Sequence, residues 1–137
     1  MDVKSREEII EFAQKLNSTN LSPLRSGNIS LKVQNNNEEG FLITPSGKKY
    51  ESLKADDIVF VSLKGKYDEK GLQPSSEWRF HKDIYLKKTD AKAVVHAHSP
   101  HATAVSAHNK DIPAFHYMIA LAGGDNIKCA KYATFGT

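Results

Sequence analysis

Two histidines, His96 and His98, flank Ala97 at the end of an apolar, β-branched run, Val94-Val95. On a strand, residues two apart project from one face, with Cα atoms about 6.7 Å apart. Imidazoles at that spacing can converge on one divalent metal. Upstream, Ser75-Ser76-Glu77 sets a carboxylate after two hydroxyl residues. A carboxylate at the start of a helix would extend the pair to the mixed nitrogen and oxygen donor set that zinc accepts. Chemistry is expected here first.

Each of these residues also has an ordinary structural reading. One histidine can be a satisfied core residue while the other faces water. Val94 and Val95 predict a mostly buried strand, however, and burying two unpaired imidazoles is costly, which favours a shared metal. Glu77 equally suits the first turn of a helix, where the dipole favours a carboxylate. Beside it, Ser75 and Ser76 add hydroxyls where backbone N–H groups are free, which suits an anion. Two further loops, Ser26-Gly27-Asn28-Ile29-Ser30 and Thr44-Pro45-Ser46-Gly47, have the same character. By default each is a turn. Three such elements together can cradle a phosphate through backbone amides, without any lysine. Arg25 either adds charge there or is a solvated surface residue. His81, four residues after Glu77, is expected at the surface or behind the ligands, not as a ligand. His101, His108 and His116 are given no ligand role.

The elements that must position these residues follow from patterning. Ser5-Arg6-Glu7-Glu8 reads as a capping box ahead of Ile9, Phe12, Ala13 and Leu16, predicting a helix from about Arg6 to Asn17. Ile29, Leu31 and Val33 alternate with polar residues, and a turn at 35–40 leads to Phe41-Leu42-Ile43, an antiparallel hairpin. Ile58 to Val61 is a further strand. Pro74-Ser75-Ser76-Glu77 opens a helix carrying Phe80, Ile84 and Tyr85 inward, and a strand from Ala93 to His98 follows. Ser99-Pro100 is an N-cap and first-turn pair for a helix to about Ala107. Ile112-Pro113-Ala114 is extended, and Tyr117 to Leu121 is helical before Gly123-Gly124. Thr137 is placed to cap a helix that does not follow.

Composition sets broad bounds. The 137 residues are 39% hydrophobic and 26% charged, an ordinary single domain or part of one. A net charge of +3, with the lysines scattered, gives no nucleic-acid surface but suits a small anionic substrate. Cys129 stands alone, which fits a reducing compartment. The opening residues lack the apolar run of a signal peptide, and no stretch reaches the length of a membrane span. No membrane partner is therefore expected, and the expected location is cytoplasmic.

Several stretches taken together resemble the class II aldolase/adducin family. They are Ser26–Ser30, Leu42–Gly47, Pro74–His81, Ala93–His98, Ile112–Ala120 and Tyr132–Thr137, collinear over almost the whole chain. The resemblance implies an α/β fold with a central, mainly antiparallel sheet flanked by helices, and residues 1–137 as the leading two-thirds of that fold. It further implies one Zn²⁺ per site, held by Glu77, His96, His98 and a third histidine beyond this chain's end. On that basis the chain is expected to be C-terminally truncated and its fold incomplete. The substrate phosphate is expected among Gly27, Asn28, Thr44, Gly47, Ser75 and Ser76. The implied reaction is cleavage of L-fuculose 1-phosphate to dihydroxyacetone phosphate and L-lactaldehyde, in a homotetramer. Glu77 is its implied base, and Tyr117 the proton donor reaching a neighbouring subunit's site. Two alternatives share the motifs: another sugar-phosphate aldolase or pentulose-phosphate 4-epimerase, or a non-catalytic relic or adducin-head-like assembly module.

Overall fold

The computed structural model describes residues 3–134, without the Arg25 side chain. The expectations for Arg25 and Thr137 lie outside the described residues. Four strands form one antiparallel sheet in the order β3-β2-β1-β4: β1 is Asn28–Asn35, β2 Glu38–Ile43, β3 Val59–Ser62 and β4 Ala93–His96. The β1–β2 hairpin turns on Asn36 and Asn37, both at positive φ (46° and 64°). Two left-handed residues match the twist of the flanking strands, and asparagine tolerates that backbone better than most residues.

Helices cover both faces of the sheet. Helix α1, Val3–Ser18, buries Ile9, Ala13 and Leu16 at helical spacing against Ile29 and Leu42. The buried Arg6 guanidinium donates to the carbonyls of Ala55 (3.0 Å) and Ile58, pinning α1 to the short helical turn Ala55–Asp57. Helix α2, Trp78–Lys87, packs Tyr85 against Phe41, Ile43, Val59 and Val61 on the opposite face. The expected α/β architecture is what the chain adopts. Three details differ. Ser5 lies within the first turn of α1 and not at its cap, because the helix has begun by Val3. Phe12 is 45% exposed, since it lies on the flank of the stripe and rims an open groove with Ile29, Leu31 and Val95. In α2, Phe80 and Ile84 are only half-buried, and it is His81 that joins Tyr85 inside.

The last strand also departs from expectation. β4 ends at His96, and it is the edge of the sheet, so only Val94 and His96 turn inward. Val95 on its other face is 58% exposed. Beyond it, α3 spans Pro100–Ala107, with Ser99 at the N-cap and Pro100 in the first turn. The Ser99 hydroxyl makes no capping hydrogen bond. Residues Tyr117–Ala122 form a 3-10 helix, closed by Gly123 at φ 88°.

Candidate metal centre and adjoining cleft

Glu77, His96 and His98 come from three different places in the chain and meet at one point. Glu77 is the N-cap of α2, His96 ends β4, and His98 lies just past that strand. His96 Nε2 stands 2.8 Å from His98 Nε2 and 3.3 Å from Glu77 Oε2. One donor atom from each of the three residues lies within 4.8 Å of the others. Ligands on a tetrahedral zinc at bonds of about 2.0–2.1 Å stand about 3.3 Å apart. The donor set therefore fits one divalent ion. Strand alternation continues far enough past β4 for the second imidazole to join the first.

Local packing explains why the point is held. His98 N–H donates to the buried Ser22 hydroxyl at 3.3 Å. A Cβ on Gly27 would collide with Ser22 Oγ and with the His96 carbonyl oxygen, so only glycine lets this loop approach the end of β4. Glu77 makes no capping bond to its own helix. Its Oε2 instead accepts from Asn28 Nδ2 at 2.7 Å. Burial lowers the His96 pKa, the neighbouring Glu77 carboxylate opposes that, and His98 adds to it. Lowering favours the neutral imidazole that metal binding requires.

Beside these donors lies a cleft of about 280 Å³. Gly27, Asn28, Thr44, Gly47, Ser75 and Ser76 all line it, as do Glu77 and His98. Its loops are stitched together through their backbones. Ser75 N–H donates to the Thr44 carbonyl at 3.0 Å, and Ser46 N–H to the Gln73 carbonyl at 2.9 Å. The Thr44 hydroxyl accepts from Ile29 N–H at 3.3 Å, which leaves its own proton to donate. Gly47 adopts φ 77°, a left-handed turn that a side chain would strain. Such a cleft can hold an anion at one end while the adjoining donors face oxygens of the same molecule.

Sequence reasoning missed three residues of the lining, Leu24, Lys48 and Tyr50. Lys48 Nζ pairs with Asp57 Oδ1 at 2.6 Å, and the Tyr50 hydroxyl donates to the Gly27 carbonyl. Lys48 directly follows the Thr44–Gly47 motif, and that adjacency was the available signal. Of the two expectations for His81, the second holds: it is fully buried behind Glu77, with Asn28 between them. Tyr117 does not join the others within one chain. It is 79% exposed, its ring lies against His116 at 4.4 Å, and it does not line the cleft.

Known proteins share this arrangement of chain and fold. The L-fuculose phosphate aldolase of Escherichia coli (strain K12) is 49% identical over 98% of this chain, a match covering 60% of that protein. A 5-methylthioribulose-1-phosphate/5-deoxyribulose-1-phosphate aldolase of Rhodospirillum rubrum is 42% identical over 96% of the chain, covering 58% of its own length. A solved L-fuculose 1-phosphate aldolase superposes with a TM-score of 0.88 and 36% identity, over 98% of this chain and 62% of that one. The chain thus spans about 60% of the length of the curated relatives it matches. The model of the Class II Aldolase and Adducin N-terminal domain matches residues 7–137. With the family model covering nearly all of it, the chain belongs to the class II aldolase and adducin family.

Proposed function

We propose that residues 1–137 form the leading part of a zinc-dependent aldolase that cleaves L-fuculose 1-phosphate to dihydroxyacetone phosphate and L-lactaldehyde. The observation that carries this is the meeting of Glu77, His96 and His98 donor atoms at the mouth of a cleft walled by small hydroxyl and glycine residues. Gly27, Asn28, Thr44, Gly47, Ser75 and Ser76 take the substrate phosphate, through backbone N–H groups and short hydroxyls. Glu77, His96 and His98 hold the metal. A divalent ion there supplies Lewis acidity, polarising the substrate carbonyl so that bond cleavage beside it is easier.

Glu77 is the carboxylate that holds or moves the proton on the carbon next to that carbonyl. Tyr117 donates or accepts the proton on the aldehyde oxygen. Its exposure, and its place outside the lining of its own chain's cleft, support delivery to a neighbouring copy in a homo-oligomer, a tetramer by family resemblance. No helix of the described residues is long and apolar enough to cross a membrane, which supports a cytoplasmic setting.

The R. rubrum relative directs attention to the aldehyde half of the substrate. Aldol cleavage between the third and fourth carbons of any ketose 1-phosphate releases dihydroxyacetone phosphate, so the phosphate cleft and the metal ligands serve all of them. Only the aldehyde changes.

Zinc content of the purified chain, measured together with dihydroxyacetone phosphate release, tests the proposal. The expected result is one zinc per chain and turnover of L-fuculose 1-phosphate. Turnover of 5-deoxyribulose 1-phosphate or methylthioribulose 1-phosphate in its place moves the assignment to another ketose 1-phosphate. Absence of both zinc and turnover identifies an inactive aldolase fragment that keeps the site's motifs without its last ligand, or a non-catalytic assembly module.

A further inference from the structure

Behind the metal centre, residues of α2 and β1 mesh like a zipper. On α2, His81 and Tyr85 follow Glu77 at successive four-residue steps, each a rise of about 6 Å. On β1, Asn28 and Ser30 lie two residues apart, a rise of about 6.7 Å. The two spacings keep the side chains in register over this length. Asn28 Nδ2 lies 2.7 Å from Glu77 Oε2, and Asn28 Oδ1 lies 2.6 Å from His81 Nε2. His81 Nδ1 lies 2.7 Å from Ser30 Oγ, which lies 2.7 Å from the Tyr85 hydroxyl. Ser30, His81 and Tyr85 are all fully buried.

Only one arrangement of protons satisfies this chain. An ionised carboxylate accepts and never donates, so the amide N–H of Asn28 must face Glu77. The Asn28 carbonyl oxygen then faces His81, whose Nε2 must carry the proton. Because burial keeps the ring neutral, Nδ1 is a bare acceptor that takes the single Ser30 hydroxyl proton. With its own proton on His81, Ser30 Oγ accepts from the Tyr85 hydroxyl at 2.7 Å, and the Ser30 carbonyl is a second, longer acceptor for that hydroxyl at 3.1 Å. Every donor in the series points toward Glu77.

We propose that His81 is a positioning residue, whose Nε2–H locks the Asn28 amide in the one orientation that presents N–H to Glu77 and so aims that carboxylate at His96 and His98. Without that lock, the amide is free to turn over and set its carbonyl oxygen against the carboxylate, which repels it. Support of this kind behind a metal ligand is typically worth ten- to a hundred-fold in metal affinity. The proposal rests on the reading of Glu77 as a metal ligand.

Two polar variants separate positioning from packing. In His81→Gln the amide N–H takes the place of Nε2 and keeps the bond to Asn28. In His81→Asn the shorter side chain reaches toward Ser30 only. Both remove the ring, so a purely structural role affects them alike. The first measurement is the NMR signal of the Asn28 side-chain amide in metal-free protein. Wild type and His81→Gln are expected to share its resonance positions, and His81→Asn to shift them toward solvent-averaged values. The second is Co²⁺ titration followed by visible absorption. His81→Asn is expected to bind about tenfold more weakly, with an altered spectrum, and His81→Gln close to wild type.

Unchanged Asn28 amide signals in His81→Asn overturn the proposal, as does equal Co²⁺ binding by the two variants. Wild type that binds no Co²⁺ removes the metal-site reading, while the amide signals still decide the lock. If neither variant folds, the ¹⁵N shifts of His81 in wild type decide it: Nε2–H supports the proposal, and Nδ1–H overturns it.

Discussion

Asn28 and His96 are direct cross-strand partners, one opening β1 and the other closing β4. Asn28 also donates to Glu77 at 2.7 Å. A residue of an inner strand therefore references both a carboxylate on a helix end and an imidazole on an edge strand. This is how a site assembled from distant parts of the chain acquires a fixed geometry, because β1 is paired on both sides and cannot drift. The dependence on β1 carries into the effects expected of individual substitutions.

Replacing Glu77 by alanine should abolish turnover while leaving the fold intact. General-base groups contribute typically 10²- to 10⁴-fold, and here the same carboxylate is also a metal ligand. The stability loss should stay near about 1–2 kcal/mol, since what is stranded is one partly buried amide N–H of Asn28. Thermal melting alongside a dihydroxyacetone phosphate release assay checks both halves. Retained activity would remove Glu77 from its proposed role.

Gly27→Ala should disturb the metal centre without touching a ligand. The added methyl meets Ser22 Oγ and the His96 carbonyl oxygen, so either the loop or the end of β4 must move. Overpacking of this kind costs typically about 1–3 kcal/mol. Because His98 N–H leans on the same Ser22 hydroxyl, Co²⁺ affinity should fall together with the melting temperature. A variant that melts lower but binds Co²⁺ like wild type would show that Gly27 serves the fold alone.

Much of this site was legible before the structure. His96 and His98 announced themselves because strand alternation is a strict two-residue rule. The three hydroxyl-rich loops were visible because glycine and short polar residues mark free backbone amides. What was not legible depends on neighbours in space. His81 reads as a polar residue on an amphipathic helix, and nothing local says that Asn28 and Ser30 will meet it. Asn28 and Ser30 share the polar face of β1 with Lys32 and Gln34, so alternation alone reads that whole face as solvent-exposed. Val95 read as buried because a run of valines carries no mark of an edge. Phe12 read as core because helical periodicity places the stripe to within about one residue, and its flank is decided by what lies opposite.

Acid should unfasten the buried network at His81. Burial pushes this imidazole down to about 3 from an ordinary 6.5, with the charge of His96 adding a smaller effect. In the unfolded chain the ring takes its proton near 6.5, while the folded protein refuses it. The associated stability is thus complete above pH 6.5 and is lost progressively as pH falls toward 3, at about 1 kcal/mol for the first unit. Melting curves at pH 7, 6 and 5 should fall more steeply for wild type than for His81→Gln, which cannot titrate. Equal slopes would place the acid sensitivity elsewhere. At the other end of the network, burial raises the Tyr85 phenol to about 12, so its stabilising effect is complete below pH 10 and fades only above it.

Tyr117 is the one expected site residue that neither lines the cleft of its own chain nor joins the adjoining cluster of Glu77, His96 and His98, and this makes delivery between subunits testable. Glu77→Ala lacks the carboxylate but keeps the tyrosine, and Tyr117→Phe has the reverse defect. Each alone should be close to inactive. If Tyr117 serves a neighbour's site, unfolding the two together and refolding them as a mixture creates interfaces where an intact Glu77 meets an intact Tyr117. Activity should then return as the mixing ratio approaches equality and vanish at either extreme. If Tyr117 instead folds back onto its own cleft, no mixed assembly contains a complete site, and the mixture stays as inactive as its components. The exposed ring at Tyr117, set on a short 3-10 helix against His116 and away from the cleft, argues for the first outcome.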